Sequence, residues 1–171
     1  MAETSRERYA FLGREFLTWL WYESAHNNSR VQTDTFGAVQ VEFGQRLTLE
    51  TGGNVREGST VQADAPTETE EARTALRTGK KVSRARLILE VADKHYELGI
   101  DAETLTLSQL KLPVVSGGED LWRIEERLKL LDEVEAIIDE LYVAFVRLRR
   151  DEEAWGRVRE AMREWVLEVP A

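Results

Sequence analysis

At 171 residues, 42% apolar and 32% charged, the chain has a folding composition and a length at which one hydrophobic core still grows without splitting. The absence of cysteine excludes disulfides, thiolate metal sites and thiol nucleophiles, and no apolar run approaches the roughly 20 residues needed to span a bilayer. A net charge of −9 disfavours contact with a polyanion over the whole surface, because such affinity comes largely from counterions displaced by Lys and Arg, so any nucleic-acid contact must use a local patch.

The first residues, Met1 to Arg8, are polar and lack the apolar stretch of a secretory signal, so a soluble, cytoplasmic protein is expected. Residues 5–25 read as a buried helix, with Phe11, Phe16, Leu17, Trp19, Leu20 and Trp21 in a block that holds no Pro and no Gly after Gly13. Its tryptophans are read first as core, with an exposed ring that stacks on a base or a partner as the alternative.

From Phe36 the period changes to two. Val39, Val41 and Phe43 alternate with polar residues, and so do Leu47 and Leu49; Gly44 and Gln45 between the runs predict a hairpin. Gly52, Gly53 and Gly58 mark turns, and Val55 and Val61 bracket a weak third strand. After Pro66, Thr67 is the expected N-cap of a short helix with Glu70 as its capping-box partner, Ala72, Ala75 and Leu76 inward, and Gly79 in the terminating position. A second hairpin follows. Ala85, Leu87, Leu89 and Val91 share one face, Arg84, Arg86 and Glu90 the other, and Asp93-Lys94 turns into Tyr96, Leu98 and Ile100. Leu105, Leu107, Leu110 and Leu112 carry the apolar pattern to Pro113, and Ser116-Gly117-Gly118 is a flexible break.

Beyond it Leu121, Ile124, Leu128, Leu131, Val134, Ile138, Leu141, Phe145 and Leu148 recur in steps of three and four, the seam of one long amphipathic helix with an acidic start and a basic end. Trp155, Val158, Met162 and Trp165 repeat the spacing after Asp151, as a continuation or as a second helix broken near residues 151–153. The fold expected is therefore α+β: antiparallel hairpins packed with a Trp-rich N-terminal helix, a short central helix and a long C-terminal helix or helical hairpin. It divides into residues 1–115 and a helical region 116–171. The seam positions Leu121, Ile124, Leu128, Leu131, Ile138, Leu141 and Phe145 are candidates for a homo-oligomer interface, and equally for packing within the chain.

No residue pattern supports catalysis, a metal or a cofactor. His26 and His95 lie far apart without a second ligand at metal-binding spacing, His95 is expected to be solvated beside its turn, and the carboxylates fall on outer helix faces. No phosphate-binding glycine loop occurs; Thr78-Gly79-Lys80-Lys81 is half of one. One basic cluster remains, Arg73, Arg77, Lys80, Lys81, Arg84 and Arg86. It reads either as a phosphate-contacting patch for DNA or as cations paired with Glu70, Glu71 and Glu90.

The run from Glu70-Glu71-Ala72-Arg73 through Gly79-Lys80-Lys81-Val82 precedes the hairpin Leu87 to Leu98, then Leu107-Ser108-Gln109-Leu110-Lys111-Leu112, then an acidic helix start carrying Glu126-Arg127. With Phe16-Leu17-Thr18-Trp19-Leu20 near the start, it resembles the C-terminal half of the recombination-associated RdgC proteins over roughly residues 15–145. The resemblance implies a sequence-tolerant, non-enzymatic binder of double-stranded DNA that forms a ring-shaped dimer and restrains a RecA-type recombinase. The chain departs from that family in lacking a counterpart of its N-terminal half and in carrying Ala63-Asp64-Ala65-Pro66 where family members are Lys-rich. A second expectation, of a different class, is an acidic oligomeric adaptor that holds protein partners without touching nucleic acid.

Overall fold

The computed structural model describes residues 5–51 and 57–168, with side chains from residue 11 onward. Helix α1 (Ser5–His26) leads into strands β1 (Arg30–Gln32), β2 (Ala38–Glu50) and β3 (Gly58–Gln62) and a 3-10 turn (Pro66–Glu68). Helix α2 (Glu70–Arg77), strands β4 (Lys81–Val91), β5 (Lys94–Asp101) and β6 (Leu107–Lys111), and helices α3 (Asp120–Arg150) and α4 (Glu152–Leu167) complete it. The six strands make one antiparallel sheet in the order β1-β2-β4-β5-β6, with β3 also paired to β2. This is the expected α+β class, and no helix among the described residues is long and apolar enough to cross a membrane.

Strict alternation sorts the strands into two faces. Val39, Val41, Leu47 and Leu49 of β2, Leu87 and Leu89 of β4, and Tyr96 and Leu98 of β5 are fully buried. They share one apolar cluster with Phe16, Leu17, Leu20 and Trp21 of α1 and Val134, Ile137, Leu141 and Phe145 of α3. The opposite face, with Glu42, Arg84, Glu90 and His95, meets water. The helices thus cover one side of the sheet only, as an antiparallel sheet allows. Trp19, Trp21, Trp155 and Trp165 are all buried, Trp165 edge-on to Trp21 at 5.4 Å and Trp155 edge-on to Phe145 at 5.7 Å. They are core residues, unavailable for stacking on a base.

Three local expectations are corrected. The hairpin at Gly44-Gln45 is a single strand. Phe43 pairs with Leu87 and Leu47 with Ala85, so β2 takes four steps where β4 takes two, a bulge at residues 44–46. A two-residue turn there would have paired Val41 with Thr48, and directly paired residues share a face. Leu47 and Leu49 would then have faced away from Val39, Val41 and Phe43, whereas all five are buried on the same face, with Gln45 of the bulge exposed between them. The N-cap of α2 is Thr69, whose hydroxyl accepts from the Ala72 amide at 3.2 Å; Thr67 lies in the preceding 3-10 turn. The turn between β4 and β5 is Ala92-Asp93, since Lys94 pairs with Val91. Gly52, Gly53 and Val55 lie outside the described residues, while Val61 is buried in β3. Gly79 ends α2 with φ +87, its amide on Leu76 O and that of Lys80 on Ala75 O, the two bonds of a Schellman motif.

The C-terminal helices break at Asp151, whose carboxylate caps α4 by accepting from Ala154 N at 3.0 Å. From Glu133 onward α3 is sewn to the core. Tyr96 donates to Glu133 at 2.7 Å, Lys94 donates to both Glu133 oxygens at 2.9 Å, and Thr35 N donates to Glu140 at 2.8 Å. The seam candidates Ile138, Leu141 and Phe145 are corrected accordingly: they lie in the chain's own core and offer no surface to a partner. The same helix row is covered by the sheet and α1 at one end and clears them at the other.

Candidate binding surfaces

The basic cluster does not converge. Arg77 and Lys81 line a groove between α1, α2 and α4, whereas Arg84 and Arg86 line a hollow on the solvent face of the sheet, beside β5 and β6. The cause is local. The chain crosses from a helix end into the sheet between these residues, and strand alternation then sends Arg84 and Arg86 to the uncovered face.

Most of the cationic heads are also spoken for. Arg77 pairs with Glu70 at 3.5 Å and donates to the Val166 and Glu168 carbonyls; Lys81 pairs with Glu15 at 3.3 Å and Arg84 with Asp101 at 3.1 Å. Arg86 pairs with Glu97 at 2.9 Å and donates to Gln109 at 3.2 Å. Lys80 donates to the Ser59 hydroxyl at 2.8 Å, and Arg73 is half-buried with its Nε enclosed and without a hydrogen-bond partner among the described residues. Of the anions expected as partners only Glu70 takes part; Glu15, Asp101 and Glu97 come from distant sequence. Glu97 also receives Lys111 at 3.0 Å, and the hydrogen bonds from Arg86 and Lys111 hold its carboxyl down at about 2. His95 sits half exposed between Glu90 and Glu97, at 3.4 and 3.5 Å. His26 packs on Tyr22 at 4.2 Å, its Nδ1 within 2.7 Å of the Tyr22 carbonyl. Among the described residues no group of His, Asp and Glu is placed to hold a metal ion.

A different feature stands out on the helical side. The first three turns of α3 clear the core, and Leu121, Trp122, Ile124 and Leu128 are 68%, 44%, 55% and 56% exposed, with Leu131 half-buried at the point of departure. Val114, in the segment leading to the helix, is 93% exposed. A trough of about 840 Å³ lies between that segment and the helix, with Leu110, Leu112, Pro113, Val115 and Ile124 in its walls beside the charged Lys111, Asp120, Arg123 and Arg127. We refer to residues 119–131 as the arm. Trp122 and Val114 were not marked by the heptad row, since neither sits on it. The cue was their place directly after a strand and a Gly-Gly pair, where no neighbouring element is near enough to cover them. Trp122 folds over Gly118, where a Cβ would come within 2.3 Å of its ring.

The groove between α1, α2 and α4, about 830 Å³, has the other apolar floor: Leu76, Trp155, Met162 and Val166. Its rim carries Arg77, Lys81, Arg159 and Arg163 beside Glu15, Glu160 and Glu164. Arg149 lies over the Trp155 ring at 5.1 Å, holding the groove's inner wall. Neither a family model nor a curated protein matches the chain.

Proposed function

We propose that this chain is a non-enzymatic protein-binding module that assembles through the arm at the start of α3. The observation that carries the reading is the run Leu121, Trp122, Ile124 and Leu128 left uncovered on a helix whose later turns are fully packed. Large apolar side chains exposed together on one stretch of helix mark an interaction site far more than a stability feature. The acidic adaptor reading draws further support from the net charge of −9 and from the cations of the cluster, which meet carboxylates of their own chain on two separate faces. The DNA-binding reading implied by the RdgC resemblance needs those cations convergent and free, so it takes second place.

Light scattering on the full chain tests the proposal. The wild type is expected to be oligomeric at micromolar concentration, and the double variant Leu121→Glu, Leu128→Glu a monomer with an unchanged far-UV spectrum. A monomeric wild type that also retains duplex DNA at about 50 mM salt, where electrostatic binding is strong, would reverse the order of the two readings.

A further inference from the structure

We infer that the hollow on the uncovered face of the sheet binds the phosphate group of a small molecule, with Arg46 and Arg84 as its principal donors. The site is separate from the arm, since α3 packs on the other side of the sheet.

The hollow, about 680 Å³, has the size of a small-molecule site. Three arginines line it, Arg46 from β2 and Arg84 and Arg86 from β4, against two carboxylates, Glu50 and Asp101. It thus holds a surplus of positive charge in a chain of net −9. Arg46 stands outside the cluster of cations between Arg73 and Arg86; it is exposed and makes no side-chain hydrogen bond or ion pair among the described residues. Arg84 is bound to Asp101 through Nε alone, which leaves both of its terminal nitrogens without an acceptor among the described residues. Asp101 is occupied on its other oxygen, where Oδ1 accepts from the Glu103 and Thr104 amides at 2.9 and 3.3 Å. Thr48, Thr60 and Ser108 add hydroxyls to the walls. A phosphate group presents several strongly accepting oxygens, and guanidinium forks are the donors whose geometry matches them.

The sheet breaks register only where it borders this hollow. The breaks fall between Phe43 and Leu47, where Arg46 sits, between Thr48 and Leu49, and between Glu97 and Gly99. At the last of them β6 takes three steps where β5 takes two, Gln109 adopts φ +48, and its side chain accepts from Arg86 Nη1 at 3.2 Å. A residue other than glycine in that region is strained, and bulges re-aim side chains and gather beside functional sites. The bulge in β2 brings Arg46 to the hollow, and the one in β6 draws the Arg86 head aside toward Gln109 and Glu97. Gly99, paired with Arg86, leaves the floor bare; a Cβ on it would stand 2.7 Å from Ser108 Oγ. A nucleic-acid backbone needs many phosphates neutralised at once, whereas one surplus cation in a closed hollow suits a single phosphate.

NMR titration of the isotope-labelled full chain at low salt is the test, with inorganic phosphate, glycerol phosphate and glycerol as probes. Both phosphates are expected to shift the Arg46 and Arg84 Nε–H signals to saturation, and glycerol to leave them in place. Tighter binding of glycerol phosphate assigns the site to a phosphate ester, and equal binding assigns it to the free anion. Arg46→Gln and Arg84→Gln are each expected to weaken binding about tenfold, as loss of one charge-assisted contact does, and Arg46→Lys, which keeps the charge without the fork, to weaken it less. Both heads are exposed, so these variants should keep the wild-type far-UV spectrum. Arg159→Gln, which removes an exposed cation of the groove beside α4, is expected to bind phosphate like the wild type. A response that never saturates, an Arg46→Gln affinity equal to that of the wild type, or an equal loss in Arg159→Gln overturns the site and leaves the proposed function standing.

Discussion

Two helical glycines should respond to the same substitution with opposite sign. Gly13 lies in α1 directly under the β5–β6 connection, and a Cβ placed on it would stand 1.7 Å from the Ala102 carbonyl oxygen and 2.7 Å from its carbon. Restoring ordinary contact requires a displacement of about 1.5 Å or more, against packing that resists a single added methyl. Neither side is free to give. Ala102 is buried and its amide is held on Ser83 O at 2.8 Å, while α1 is fixed by Phe16, Leu17 and Leu20, all fully buried. Overpacking of this kind costs about 1–3 kcal/mol, here at or above the upper end, and alanine returns about 1 kcal/mol of helix propensity. Gly13→Ala should therefore lose about 2 kcal/mol, lowering the urea midpoint by roughly 1 M at a slope of about 2 kcal/mol/M. At Gly156 in α4 an added Cβ meets nothing within 4 Å, so Gly156→Ala should gain about 0.5–1 kcal/mol. Paired urea titrations read both, and a Gly13→Ala midpoint equal to or above the wild type would refute the packing of α1 on Ala102.

Glu133 anchors α3 where the arm leaves the core, accepting from Tyr96 and Lys94; Glu133→Gln should cost about 1–2 kcal/mol in a thermal or urea melt. Burial first, and then the bond to Glu133, push the Tyr96 phenol well above its ordinary 10, so the same variant should titrate at lower pH by absorbance at 295 nm; no change would disprove the contact. For acid stability the sign follows from depressed carboxyls. Glu97 is held at about 2 by Arg86 and Lys111 and is higher in the unfolded chain, so its contribution is whole above pH 4.5 and is lost as pH falls toward 2. On a partly exposed pair this is on the order of 1 kcal/mol. Glu140, lowered by the hydrogen bonds from Thr35, acts in the same direction. Urea midpoints should thus fall between pH 5 and 3, and Glu97→Gln should flatten that fall; an unaltered pH profile in the variant would count against it.

Elements whose periodicity was long and capped were legible before any coordinate. Residues 5–25 match α1 within one position, the faces of β4 and β5 are those the alternation set, and Gly79 ends α2 as its position demanded. What failed was spatial. The break at Gly44 has the form of a turn because glycine beside a polar residue is a turn signal, and only the odd parity shared by Val39, Val41, Phe43, Leu47 and Leu49 on either side of it distinguishes a bulged strand. The six cations form one cluster in the sequence, open to either reading, because they are neighbours there. The helix end, the change of element and the strand pleat separate them by face, and Glu15, Asp101 and Glu97 arrive from parts of the chain that no local pattern connects to them. Likewise the seam from Leu121 to Phe145 is uniform in the sequence. Which half is covered depends on how far the sheet and α1 extend beneath it, and periodicity carries no such length.

That division of α3 bears on how the arm can work. A free helix of some thirteen residues is marginal in water because its first turn must be nucleated at a cost. The arm avoids that step, since it continues a helix already fixed at Val134, Ile137 and Leu141 and grows by propagation alone. Its local charges support it: Asp120 pairs with Arg123, Glu126 with Lys129 at 2.6 Å, and Glu119 and Asp120 sit at the positive end of the helix dipole. On the proposed function a partner would meet an apolar ridge already in helical form, and association would not carry the ordering cost of folding a loose segment. The core half of α3 stabilises the fold, and by the same continuity holds the arm in the shape in which it can be recognised.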